Sequence, residues 1–326
     1  TIVIPDGQTS AKVTLTALTE TPNPAEAAET ARLNVVAATG YVAGGSPNAT
    51  VTITENSFLV TSTADSGEGT LRQAILNANA IAGTDTITFD AATFATAQTI
   101  TLTSGQIDIN SLLTVQGTGA QLLTLNGNAA SRIFNITGGV VTLADLTVTN
   151  GSTTSWGGAI SAVGGSNTTL LRCAVSNSTS QLEGGGIYAN NGTLNVVSST
   201  ISGNTATTVG GGGIATGTAI ASANVNVVNS TISGNTGANG GAMLYGSNAV
   251  VSIAQTTVTN NTSTQGPNVW SGGGAVTVAN SIIAANQINT GHDDVGGAFT
   301  SSGGNLIGLG GAATGFTHGT NNDQVG

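Results

Sequence analysis

Ser199-Thr200-Ile201-Ser202-Gly203-Asn204 returns almost unchanged as Ser230-Thr231-Ile232-Ser233-Gly234-Asn235. Looser copies flank the pair: Leu146-Thr147-Val148-Thr149-Asn150, Cys173-Ala174-Val175-Ser176-Asn177, Thr256-Thr257-Val258-Thr259-Asn260 and Ser281-Ile282-Ile283-Ala284-Ala285-Asn286. The apolar anchors Val148, Val175, Ile201, Ile232, Val258 and Ile283 are 27, 26, 31, 26 and 25 residues apart. Repeats of this length, alternating apolar and polar within each copy, predict a β-solenoid with one coil per repeat. A single unit cannot bury its own apolar face and must stack on its neighbours. At about 4.8 Å per coil, roughly eight or nine coils make a rod on the order of 40 Å long.

Alternation assigns the side chains. One inward column holds the six anchors. A second holds Leu146, Cys173, Ser199, Ser230, Thr256 and Ser281, and a third is expected at Ala144, Leu171, Val197, Val228, Ala254 and Ala279. Cys173 is then a buried, inert thiol. Asp145 and Arg172 share an outward position in successive coils, which predicts a cross-coil ion pair. Thr147/Thr149, Ala174/Ser176, Thr200/Ser202, Thr231/Ser233 and Thr257/Thr259 form a flat hydroxyl face. Such an array suits ice, but Ala174, Ile282 and Ala284 interrupt it and Thr/Ser is ordinary strand surface. Asn204, Asn235, Asn261 and Asn286 are expected to form a ladder along the axis at a turn. The glycines at 157–158, 184–186, 210–213, 240–241 and 272–274 are expected to mark one corner of every coil.

Composition narrows the function. Charged residues are only 6% of the 326 and aromatics 3%, with 48 glycines, so the surface is hydroxyl and amide rather than ionic. Fifteen acids against five bases give a net charge of −10, and Lys12 is the only lysine. No basic patch exists, which argues against nucleic acid and anionic membranes as partners. No apolar run reaches the roughly 18 residues of a membrane span. One cysteine excludes an internal disulfide framework. The balance fits a secreted bacterial surface protein. Beginning at Thr1 and stopping at Gly326, the chain reads as a piece of something longer.

Three segments follow: a β module at 1–56, a cap at 57–98 and the solenoid at 99–326. Residues 1–56 alternate as strands split by turns such as Pro5-Asp6-Gly7. In their order, ending in Thr52-Ile53-Thr54-Glu55-Asn56, they resemble the C-terminal half of a Calx-beta domain, an immunoglobulin-like sandwich. That resemblance implies calcium-binding acids at Glu20, Glu26, Glu29 and Glu55. The family's Glu-Gly-Asp-Glu-Thr stands here as Glu26-Ala27-Ala28-Glu29-Thr30, one carboxylate short, and a solvated acidic loop is the competing reading. In the cap, Thr70 and Gln73 have capping-box spacing, and Leu71, Ala74, Ile75 and Ala78 share a face, predicting a helix over 70–80.

Gly69-Thr70-Leu71-Arg72-Gln73-Ala74-Ile75, then Thr84-Asp85-Thr86-Ile87-Thr88-Phe89, resembles the start of bacterial right-handed β-helix surface proteins of the polymorphic outer-membrane-protein-like and choice-of-anchor type. Gly157-Gly158-Ala159-Ile160, Gly240-Gly241-Ala242-Met243 and Gly303-Gly304-Asn305-Leu306-Ile307-Gly308 extend the resemblance towards the end. The fold it implies is all-β: a right-handed parallel β-helix with a short N-terminal capping helix, preceded by a partial Calx-beta-like module.

Two functional readings compete. The first is a non-enzymatic extracellular stalk, adhesin or fibre subunit, partnered by further copies of itself or by other surface proteins and glycans. Open solenoid ends and the half module would support head-to-tail assembly. The second is a polysaccharide-degrading or glycan-binding β-helix. Catalysis needs clustered acids, and the best cluster is His292-Asp293-Asp294 with His318. Adjacent strand residues point to opposite faces, however, so Asp293 and Asp294 do not converge. Glycan binding needs exposed rings. Trp156, Tyr188, Tyr245 and Trp270 lie near the glycine corners, with Trp156 and Tyr188 close in adjacent coils, and they equally serve to cover bare backbone there.

Overall fold

The computed structural model describes residues 29–34, 48–53, 57–217, 223–288, 293–311 and 313–326. From residue 57 onwards it is a parallel β-solenoid of about nine turns. Four parallel sheets run along the axis. The first has ten strands, from Ser57–Val60 to Thr300–Ser301, and the second also has ten, from Gln98–Thr101 to Gln324–Val325. A third sheet of six two-residue strands runs from Ser152–Thr153 to Gln287–Ile288. The fourth has eight, from Ile107–Ile109 to Val295–Gly296. In the N-terminal segment, Glu29–Asn34 pairs antiparallel with Asn48–Ile53. Of the acids expected to bind calcium, Glu29 opens that first strand, and Glu20, Glu26 and Glu55 lie outside the described residues.

The anchor column is as expected. Val148, Val175, Ile201, Ile232, Val258 and Ile283 stack in register and are fully buried. The column continues upstream through Leu125 and Ile100, and downstream to Ile307. Leu146, Cys173, Ser199, Ser230, Thr256 and Ser281 are buried too.

The third column corrects the alternation. Ala144 is buried as expected, but Leu171, Val197, Val228, Ala254 and Ala279 are half-buried, and the residues that stack inside are Leu143, Leu170, Val196, Val227, Ile253 and Val278. The reason lies at the next position. Asp145, Arg172, Ser198, Asn229, Gln255 and Asn280 all have φ between 48° and 55°. One left-handed residue per coil turns the chain from the first sheet into the second, so the period of two does not carry across it. Of the glycine segments, 157–158, 184–186, 210–213 and 240–241 do share a corner. Gly272–Gly274 do not: Met243 pairs with Val269, which places Gly266 at that corner and 272–274 at the opposite end of the strand.

Corners bury backbone, and two internal ladders satisfy it. In one, the Asn204 amide side chain donates to Asn235 Oδ1, Asn235 to Asn261 and Asn261 to Asn286, each at 2.9 Å. Each Oδ1 also accepts the backbone N–H of the preceding ladder residue at 3.0 Å. Ser178 starts this ladder, donating its N–H to Asn204 Oδ1, and Asp294 ends it, its Oδ1 accepting from Asn286 Nδ2 at 2.7 Å. In the other, the N–H groups of Cys173, Ser199, Ser230 and Thr256 donate to the hydroxyls of Ser199, Ser230, Thr256 and Ser281. Ser281 N–H then donates to Asn305 Oδ1, and Asn305 to Asp323. Both ladders thus end on a buried carboxylate, which can only accept. Burial pushes the Cys173 thiol up to about 11, which keeps it protonated and inert.

The helix spans Leu71–Ala80 and buries Leu71, Ala74, Ile75 and Ala78 over the first coil. Thr70 Oγ1 accepts from Gln73 N–H, but the Gln73 amide turns to Asn77, so only half of the capping box forms. Arg72 fastens the cap, reaching Asp65 Oδ1 at 2.7 Å and the carbonyls of Gly105 and Gln106. Asp85 is a misfit. It occupies a core column with Leu113 and Val141, is fully buried, and neither carboxylate oxygen has a hydrogen-bond partner.

Asn235→Ala removes the acceptor shared by the Asn204 N–H and Nδ2 together with a donor to the Ile201 carbonyl, and should destabilise the rod by about 3 kcal/mol in thermal unfolding. Asp145→Ala breaks the ion pair to Arg172 on the exposed face and should cost little.

The two cap acids give opposite pH dependences. Burial raises the Asp65 carboxyl, but bonds from Arg72, Ser104 and Thr103 outweigh it and bring it to about 2. The unfolded chain binds the proton first, so this stabilisation is present above about pH 4 and lost towards pH 2, about 2 kcal/mol in all. Burial raises Asp85 without compensation, so there the folded chain holds the proton and stability falls as pH rises past the ordinary carboxylate range. Unfolding measured across pH should therefore show a shallower acid limb in Asp65→Asn. Asp85→Leu should gain about 1–3 kcal/mol near neutrality.

Candidate functional site

Register along the fourth sheet builds one outward column: Asp108, Asn135, Ser161, Tyr188, Ala215, Leu244 and Trp270. Polar residues lie at its N-terminal end and apolar ones beyond Tyr188. The corner glycines bring a second ring onto this column. At Gly157, φ is +67°, and a Cβ there would fall 2.3 Å from the Ile160 carbonyl oxygen. The chain can therefore fold tightly back, and Trp156, just before the corner, lands on Tyr188 of the next coil. The two rings stack at 5.7 Å between centroids, inclined by 25°. This is the proximity expected from the repeat alignment.

A groove of about 520 Å³ opens beside this stack, lined by Arg132, Asn135, Trp156, Glu183, Tyr188 and Asn190 among others. Trp156 is 44% exposed and Tyr188 is buried beneath it. Arg132 holds the corner in place: Nε donates to the Gly157 carbonyl at 2.9 Å, Nη2 to the Trp156 carbonyl at 2.6 Å and Nη1 to Gln106 Oε1 at 2.9 Å. Burial raises the Tyr188 phenol, the Glu183 charge adds to that, and a bond from Asn190 Nδ2 opposes it. The hydroxyl therefore stays protonated. Asn190 Oδ1 is buried with no hydrogen-bond partner.

The remaining predicted site residues fall elsewhere. Tyr245 corrects the aromatic platform: it is fully buried in the core, between Thr216 and Ser271, with its hydroxyl on Met243 Sδ. Alternation along Met243–Tyr245 turns Leu244 outwards and Tyr245 in, and small neighbours leave space for the ring. Trp270 is exposed but three rungs from Tyr188, so it stands apart from the groove. Asp294 points inwards and ends the asparagine ladder, its Oδ2 also accepting from Leu309 N–H. Asp293 lies against Gly311. His318 binds the backbone of Val325 through Nδ1, and His292 lies outside the described residues. Among the described residues no three of His, Cys, Asp and Glu gather as a metal site.

Arg132, Glu183 and Asn190 escaped the sequence reading. A signal for Arg132 existed. Phe134 pairs with Ile160, so Arg132 occupies the corner position that Gly158, Gly185 and Gly212 fill in later coils. It is the coil where the small corner residue is replaced by a cation.

No family model matches the chain, and no curated protein matches it.

Proposed function

We propose that this chain is a non-enzymatic extracellular protein, a structural and adhesive stalk of a bacterial surface or matrix. In this reading the solenoid is right-handed, as crossovers between parallel strands nearly always are. The protein is of the polymorphic outer-membrane-protein-like or choice-of-anchor type, and its Calx-beta-like N-terminal module joins copies head to tail. What carries the reading is how the acids are spent. Asp65 binds Arg72, Asp145 binds Arg172, and Asp294 and Asp323 close the two internal ladders. Acid–base hydrolysis of a glycosidic bond uses two carboxyl groups facing one another across the substrate. The groove beside Trp156 is lined by one, Glu183. Side-chain amides and hydroxyls run along the axis instead, which suits a rigid spacer exposed to solvent.

Two measurements test this. Protease added to intact cells should remove the protein, and purified full-length chain incubated with pectin, alginate or cellulose should release neither reducing ends nor unsaturated products. Retention of the protein inside protease-treated cells, or release of product by the chain, would overturn the proposal. Sedimentation over a range of concentrations should show growing head-to-tail oligomers.

A further inference from the structure

We infer that the groove at Trp156 and Tyr188 is a binding site for a neutral sugar ring within a glycan chain. The inference rests on the adhesive reading above and names the class of ligand. Its first support is the aromatic stack. The half-exposed indole presents a flat apolar face to the groove, and the apolar C–H face of a pyranose is flat and of matching size. Tyr188 fixes that ring from below, at 5.7 Å, so the platform is rigid before any ligand arrives.

The second support is independent of the rings. Asn190 spends its Nδ2 on the Tyr188 hydroxyl and leaves Oδ1 buried and unpaired. A buried acceptor without a donor is destabilising and points to a missing partner. A sugar hydroxyl is such a donor, and the Tyr188 hydroxyl beside it offers both a proton and lone pairs. Asn135 and Glu183 line the same cavity, which at about 520 Å³ is within the usual size of small-ligand sites.

Charge selects among sugars. Arg132 is the cation of the groove, yet three of its N–H groups already serve the Gly157 and Trp156 carbonyls and Gln106. Glu183 lines the groove, and the charge of Asp108 acts on Arg132. A uronate or sulfated sugar would meet acids without gaining a free cation, whereas a neutral ring loses nothing.

The experiment uses full-length protein carrying Trp270→Phe, which leaves Trp156 as the sole tryptophan. Cellohexaose, mannohexaose and N-acetylchitohexaose are titrated against its fluorescence, with hexagalacturonate as the acidic arm. At least one neutral probe should shift or quench the emission saturably, and bind at least tenfold more tightly than hexagalacturonate. By calorimetry, Trp156→Ala should weaken binding about tenfold or more and Asn190→Ala several-fold, while Arg172→Ala should leave it unchanged. Trp156→Phe, which keeps a smaller platform, should fall between and guards against misfolding of the alanine variant. No response to any neutral probe, equal binding by Trp156→Ala, or binding of hexagalacturonate alone would overturn the inference. Failure here with the protein still at the cell surface sinks the glycan site only. Cleavage of a bound oligosaccharide would instead sink the non-enzymatic reading and leave the site standing.

Discussion

A solenoid corner takes backbone N–H and carbonyl groups out of water, and only the adjacent coil can pair them. The whole rod depends on meeting that constraint once per turn. Here a side chain that is both donor and acceptor does so, because an asparagine can receive from the coil below while giving to the coil above. Asn204, Asn235 and Asn261 each do both and are fully buried, which leaves no lone donor along the run. Serine and threonine hydroxyls at the neighbouring corner accept the N–H of the coil below and donate to a carbonyl of their own coil, as Ser230 does to Val228. Ladders of this kind must stop somewhere. At their C-terminal ends the chain places Asp294 and Asp323, which accept without needing a further acceptor of their own.

The same constraint explains why charge is so scarce. An ionised side chain inside the repeat would need a counter-charge in every neighbouring coil, whereas amides and hydroxyls propagate neutrally. Two ion pairs lie where the repeat is interrupted or exposed: Asp65 with Arg72 at the cap, and Asp145 with Arg172 on the outer rim. Asp85 shows the alternative, a carboxyl held up by burial in an aliphatic column with no partner at all.

The architecture was legible because period and alternation are properties of local chemistry. The anchors, the asparagine ladder, the Asp145–Arg172 pair and the buried face of the helix all follow from spacing alone. Legibility failed at three kinds of position. A left-handed residue such as Asp145 breaks the alternation, and its φ is not visible in the identity Asp or Arg. A large ring such as Tyr245 enters the core only because Thr216 and Ser271, a coil away on either side, are small. Upstream coils around Ile100 and Leu125 keep the register without keeping the phrase. The groove was legible in part: Trp156 and Tyr188 followed from the aligned coils, while Arg132, Glu183 and Asn190 belong to corners the phrase does not include.

Where the repeat is regular, the ladder amides and hydroxyls bond their counterparts in adjacent coils. The groove lies at the place where regularity lapses. Arg132 stands in a corner that glycine fills in later coils, and its guanidinium takes over the carbonyls of Trp156 and Gly157. That substitution fixes the tryptophan-bearing loop over Tyr188. The adjacent Asn190, two residues beyond the tyrosine, spends its amide on the tyrosine hydroxyl and keeps an unpaired oxygen. The corner cation and the unpaired amide oxygen thus lie in nearby coils on one face, and local departures from the repeat of that kind are where function is expected to reside.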